Sequence, residues 1–166
     1  MATSAARLLV VHHSPTSSLR TLTDAVLAGT RDEAIEGVEV VVRPALEASA
    51  EDVLAADGYL LGTPANFGYM SGALKHFFDT VFLQAGGALS DDGSAAGGPA
   101  GGRRPFGLWV HGRYDTAGAV RSVLTIAGAL PWTRAADVLE VVGEVDDAHE
   151  AAAYELGATL AALLMP

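Results

Sequence analysis

The chain contains no cysteine, which removes disulfide frameworks, thiolate metal sites and cysteine nucleophiles, and leaves the redox compartment open. Lysine occurs once, at Lys75, and acidic residues outnumber basic ones 20 to 10, for a formal charge of −10. Such a surface repels phosphate backbones and anionic lipid, so nucleic acid is not an expected partner. Met1 to Arg7 hold no apolar signal-peptide core, and no apolar run approaches the roughly 18 residues of a membrane span, so a cytoplasmic protein is expected. No G-x-G-x-x-G follows the first strand, no G-x-x-x-x-G-K-[ST] occurs, and no G-x-S-x-G nucleophile elbow is present. Dinucleotide-fingerprint, P-loop and serine-hydrolase readings therefore lose support.

What remains is a compact chain of 166 residues, 50% apolar and 18% charged, long enough for one domain with a real core spanning 1–166. Five short apolar runs bounded by turn residues predict strands: Leu8–His12, Val38–Val42, Gly58–Gly62, Phe106–Val110 and Val138–Val142. Helical spacing appears between them at Leu19, Leu22 and Val26, at Met70, Leu74, Phe77, Phe78 and Val81, and at Val120, Val123, Leu124 and Ala127. A last helix carries Leu156, Leu160, Leu163 and Leu164, while the crossover from Ala45 to Ala56 is short. Regular βα alternation with near-continuous apolar strands predicts a five-stranded parallel sheet with helices on both faces. The stretch 85–102, AGGALSDDGSAAGGPAGG, breaks the pattern and reads as a long glycine-rich loop insertion. A floppy surface insertion and a functional lid or subunit contact are equally open readings of it.

Ligands bind such sheets outside the carboxyl ends of the strands, so three loops matter. After the first strand come Ser14, Pro15, Thr16, Ser17, Ser18 and Leu19, whose hydroxyls and backbone N–H groups at a helix start suit a phosphate without a lysine. The plainer reading is that Ser17 or Ser18 caps the helix. After the third strand come Thr63, Pro64, Ala65, Asn66, Phe67 and Gly68, followed by an amphipathic helix through Lys75, His76, Phe77, Phe78 and Asp79. After the fourth come His111, Gly112, Arg113, Tyr114 and Asp115, of which Asp115 suits a helix cap better than a base. His12 and His13 are adjacent and point to opposite faces, so they do not share a metal. His76 and Asp79 stand at i,i+3 on one helix face, where a solvated surface pair is expected. Glu144, Asp146, Asp147 and Glu150 read as the solvated first turn of the last helix.

The segment G-T-P-A-N-F-G-Y-M with its following helix F-F-D resembles the flavodoxin-like family, and within it the NAD(P)H-dependent FMN and quinone reductase branch, over about eighteen residues. That resemblance implies a flavodoxin-like three-layer sandwich with strand order 2-1-3-4-5 and FMN held non-covalently. Ser14, Thr16, Ser17, Ser18 and Leu19 would then surround the phosphate. Thr63 through Gly68, with backbone N–H groups near Asn66, Phe67 and Gly68, would face the ring, and His111 through Asp115 would cover its other side. Ser14-Pro15-Thr16-Ser17-Ser18-Leu19 departs from the [ST]-x-T-G-x-[ST] loop of electron-carrier flavodoxins. The implied activity is electron transfer from NAD(P)H through FMN to a quinone, a flavin or another small acceptor, with the chemistry at the flavin and no catalytic side chain. A non-enzymatic flavodoxin carrier serving a redox partner protein is the alternative, and a cofactor-free interaction module the lesser one. Homo-oligomer formation fits either enzyme or carrier.

Overall fold

The computed structural model describes residues 4–86, Asp92 and 103–166. Most of the glycine-rich stretch 85–102 lies outside the described residues. Strands β1 (Ala6–His12), β2 (Val38–Pro44), β3 (Gly58–Asn66) and β5 (Pro105–Gly112) are crossed by helices α1 (Ser17–Thr30), α2 (Ala50–Ala55), α3 (Gly72–Val81) and α4 (Ala117–Ala129). A two-residue strand β4 (Tyr69–Met70) precedes α3, and β6 (Thr133–Arg134) and β7 (Leu139–Val142) precede α5 (Asp147–Leu163). The sheet runs β2-β1-β3-β5 and then β6 and β7 along one edge, all parallel, with β4 antiparallel to β3. This is the flavodoxin-like order, and strand order reverses between β1 and β3.

Two features correct the five-strand expectation. The fifth strand is split: Phe106 pairs with Arg134, but Trp109, three residues on, pairs with Leu139, five residues on. Two extra residues therefore loop out of the edge strand within Ala135–Val138, as edges tolerate. The second feature is β4, which takes Met70 into a hairpin, so that α3 starts at Gly72 behind the Ser71 N-cap.

Strand alternation divides the core. Leu8, Val10, Leu60 and Trp109 face α1 and α5, where they pack with Leu19, Leu22, Val26, Ala153, Leu156 and Leu160. Leu9, Val11, Tyr59, Leu61, Leu108 and Val110 face α3 and α4, with Leu74, Phe77, Phe78, Val81, Val123 and Ala127. A period of two along strands and of three to four along helices puts both apolar sets inside. Leu163, predicted in the last helix's apolar stripe, is exposed instead. Asp79 pairs with Lys75 at 2.6 Å, one turn back, so the expected His76–Asp79 pair is not formed; an i,i+4 spacing brings the ammonium onto the carboxylate more directly.

Helices α1 and α5 approach backbone to backbone. A Cβ placed on Gly29 would lie 1.9 Å from the Tyr154 carbonyl oxygen, and one on Gly157 would lie 2.0 Å from that of Val26. Alanine is the better helix former, yet here it would drive the helices apart. Gly157→Ala is expected to cost about 1–3 kcal/mol of unfolding free energy, measured by urea denaturation; an unchanged midpoint would show that the crossing yields freely.

Candidate functional site

Strands β3 and β5 run past the end of β1. β1 pairs with β3 only as far as His12 opposite Gly62, whereas β3 continues to Asn66 and β5 to Gly112. Pro64 sits in this projecting part, where the missing N–H costs no bond to β1. The step between the short and long strands leaves a cleft of about 640 Å³, within the range of about 300–1,000 Å³ usual for small-molecule sites. Thr16 and Ser18 line one wall, Pro64, Ala65 and Asn66 a second, and His111, Gly112, Arg113 and Tyr114 a third.

Gly143 and Glu144, at the end of β7, complete the lining and were not among the sequence-predicted residues. The signal that could have found them is the strand-end rule applied to the last strand as well. His111 joins the two loops: its Nε2 lies 2.7 Å from the Gly143 carbonyl oxygen, which only accepts, so Nε2 carries the proton. Tyr114 is 83% exposed on the rim, with the Arg113 guanidinium 5.9 Å from its ring centroid.

The loop from β1 enters α1 through Thr16, whose hydroxyl accepts from the Leu19 N–H at 3.2 Å. Thr16, not Ser17 or Ser18, is thus the cap. Capping takes one of the free N–H groups of the first turn, and among the described residues no acceptor meets those of Ser17 and Ser18. Such donors and the macrodipole suit an anion without a basic side chain.

Seven predicted residues do not line the cleft. Ser14 turns its hydroxyl inward to His12 Nδ1 and Thr23 Oγ1, both at 2.8 Å, and Leu19 is wholly buried in the core under α1. Ser17 lies at the exposed start of α1, outside the lining. Thr63 is fully buried; its hydroxyl donates to Pro64 O and accepts from Ser71 N–H, tying the loop to the start of α3. Asp115 accepts from Ala117 N–H at 2.9 Å but stands one residue before the N-cap, Thr116, so it turns the chain into α4 without being the cap expected of it.

Phe67 and Gly68 form a two-residue hairpin between the paired Asn66 and Tyr69. Their φ values, +51° and +79°, are those of a type I′ turn. A Cβ on Gly118 would lie 2.2 Å from Gly68 O, so the turn rests on α4. Phe67 is fully exposed in a conformation unfavourable for an aromatic residue, so its strain is not offset by burial.

The chain belongs to the NADPH-dependent FMN reductase family, whose model matches residues 18–133. A protein described as flavodoxin from Aquifex aeolicus is 39% identical over 75 residues, 45% of this chain and 40% of that one, so the match spans well under half of the relative's length. A flavodoxin from the domain Archaea superposes with a TM-score of 0.76 at 14% identity, covering 95% of this chain and 98% of that one. A WrbA-like flavodoxin from Agrobacterium tumefaciens does so at 0.69 and 16%, over 97% and 98%. The flavodiiron core of Flv1 from Synechocystis matches at 0.73 and 15%, over 97% of this chain but 36% of that one. The fold is flavodoxin-like, and the family is one of FMN flavoproteins; among the described residues no helix is long and apolar enough to cross a membrane.

Two outcomes follow from this geometry. Phe67→Asn, which suits a left-handed position, is expected to raise stability by about 0.5–1 kcal/mol in thermal or urea unfolding; a loss would mean that the exposed ring packs. His12 is held below its ordinary pKa of 6.5, first by burial and then by His13, with Asp24 on α1 opposing. A base with a lowered folded-state pKa stabilises the fold fully above pH 6.5, and that contribution fades as pH falls below it, because the unfolded chain takes the proton first. Between about pH 7 and pH 5 wild-type stability should fall more steeply than that of His12→Asn, and parallel profiles would remove His12 from the acid response.

Proposed function

We propose that the chain is one FMN-binding domain that oxidises NAD(P)H through FMN and passes electrons to a small acceptor such as a quinone or a flavin. The observation that carries this reading is the cleft at the ends of β1, β3, β5 and β7, with Thr16 and Ser18 from the start of α1 on one wall, in a chain of this family. The donor set fits a phosphorylated flavin. Ser17 and Ser18 N–H, with the Thr16 and Ser18 hydroxyls nearby, would hold the phosphate; Pro64, Ala65 and Asn66 would face one side of the ring, and Gly112, Arg113 and Tyr114 the other. FMN supplies the electron acceptance and release when bound; the chain supplies position and electrostatics.

Each wall contributes something definite. Backbone N–H groups near the turn that ends β3 would be fixed donors where negative charge develops, without a titrating side chain. Tyr114 presents a flat, amphipathic face at low entropic cost. His111 holds the Gly143 loop in place and so fixes the width of the cleft on that side. Glu144 is the single carboxylate in the lining and opposes the charge of a phosphate dianion.

A carrier reading is favoured by the −10 charge and by the flavodoxin relatives. Purified protein loaded with FMN and mixed with NADPH or NADH separates the two. Turnover at a rate far above that of free FMN supports the reductase, and electron exchange with a protein partner without nicotinamide oxidation supports the carrier. Failure to retain FMN on desalting overturns both. Glu144→Gln is expected to tighten FMN binding about two- to fivefold, with weaker salt dependence, in a fluorescence-quenching titration; unchanged affinity would place the carboxylate away from the phosphate.

A further inference from the structure

A line of hydrogen bonds crosses the interior from the sheet to the loop before α1. Trp109 Nε1 lies 3.2 Å from Thr23 Oγ1, which lies 2.8 Å from Ser14 Oγ, which lies 2.8 Å from His12 Nδ1. Its direction is determined by chemistry. An indole N–H only donates, so Thr23 accepts from Trp109. Thr23 is 3% exposed and, unlike Thr21 and Thr125, makes no bond back to its own helix. Its proton therefore goes to Ser14, since an unpaired buried hydroxyl proton would be costly. Ser14 accepts from Thr23 through one lone pair and keeps its own proton available for His12 Nδ1, the arrangement in which neutral His12 carries its proton on Nε2 and which the tautomer measurement below reads directly.

The indole cannot turn elsewhere. A Cβ on Gly62 would lie 2.1 Å from its ring, so the ring lies flat on the bare backbone of β3. Gly62 in turn accepts from His13 N–H at 3.0 Å, fixing the point at which the loop leaves the sheet. The loop is held by its backbone at His13 and by its side chain at Ser14, immediately before Thr16 and Ser18, which line the cleft.

We propose that Thr23 is a positioning residue for the phosphate loop: it passes the fixed orientation of the Trp109 indole through Ser14 to His12, and so holds the Ser14–Ser18 turn in an anion-ready shape before any ligand arrives. This rests on the reading of that loop as the FMN phosphate site. Preorganisation of this kind raises affinity by reducing the ordering that binding requires. Thr23 touches no ligand, and its effect is carried entirely by the chain of hydroxyls.

The test compares Thr23→Val, which keeps the shape and removes the hydroxyl, with Thr23→Ser, which keeps the hydroxyl. In the protein without cofactor, ¹H–¹⁵N NMR should show His12 as the Nε2–H tautomer in the wild type and in Thr23→Ser. In Thr23→Val that preference should weaken, and the Trp109 indole proton should shift and exchange faster. FMN titration should give a Kd about five- to tenfold weaker for Thr23→Val and within about twofold of wild type for Thr23→Ser. Should Thr23→Val not fold, Ser14→Ala interrupts the line at its less buried end and is read in the same way. A wild-type Nδ1–H tautomer, equal damage from both Thr23 variants, or wild-type FMN affinity in Thr23→Val would each overturn the proposal. If the wild type binds no FMN, the cofactor reading falls, while the tautomer and indole signals still decide whether the chain of bonds exists.

Discussion

The Trp109 indole on Gly62 is the constraint from which the site is built. No side chain fits at 62 beneath that ring, so the indole lies against β3 and its N–H points to α1. A helix packed only through Leu19, Leu22 and Val26 could slide or rotate by small steps at modest cost, because apolar burial is not directional. One buried hydrogen bond to Thr23 removes that freedom, since any rotation would leave a donor unpaired in the core. With α1 fixed, Thr16 falls in the cap position, and Thr16 and Ser18 line the cleft. The opposite contact of α1, its glycine-mediated crossing with α5, sets the remaining degree of freedom.

The sequence revealed the sheet where the sheet is buried on both faces. Leu8–His12 and Gly58–Gly62 read as strands because unbroken apolar runs have few alternatives. The same reading stopped short where the strands reach the cleft: Thr63–Asn66 and His111–Gly112 are still strand, but polar or glycine-containing; Thr63, Pro64, His111 and Gly112 gain their pairing from strands far away in sequence, and Ala65 and Asn66 from β4 just beyond the turn. The split edge strand was illegible for a related reason. Two extra residues between Arg134 and Leu139 alter no local pattern, and only the register against Phe106 and Trp109 exposes them. Thr16, Ser17 and Ser18 are all competent caps, and the choice among them was made by which residues α1 had to bury.

The candidate site was legible to a similar degree and with the same limit. All three predicted loops reach the cleft, but about half of their residues serve it from behind. Thr63 and Asp115 hold loop and helix starts, Ser14 belongs to the interior, and Leu19 is core. Sequence order marks a loop as a whole, whereas the alternation of side chains around a turn decides which of them meets the ligand. Glu144 escaped because its neighbours in sequence, Asp146 and Asp147, are helix-start residues, and nothing local distinguishes a carboxylate that caps a helix from one that faces a cavity.

The segment that most resembles the family is therefore informative about shape before it is informative about chemistry. Gly62 admits the indole, Thr63 ties the strand end to α3, Pro64 stands where β3 has outrun β1, and Gly68 completes a turn whose carbonyl lies where α4 begins. Apart from the Thr63 hydroxyl these are backbone requirements, and all are satisfied by few residue types, so they leave a readable trace. The side chains that would meet an electron acceptor are under no such restriction: Phe67 and Tyr114 stand in solvent, and Arg113 and Glu144 line an open cleft. The fold and the cofactor class can be read from the first set, while the choice of any electron acceptor would rest with the second, where the scaffold imposes almost nothing.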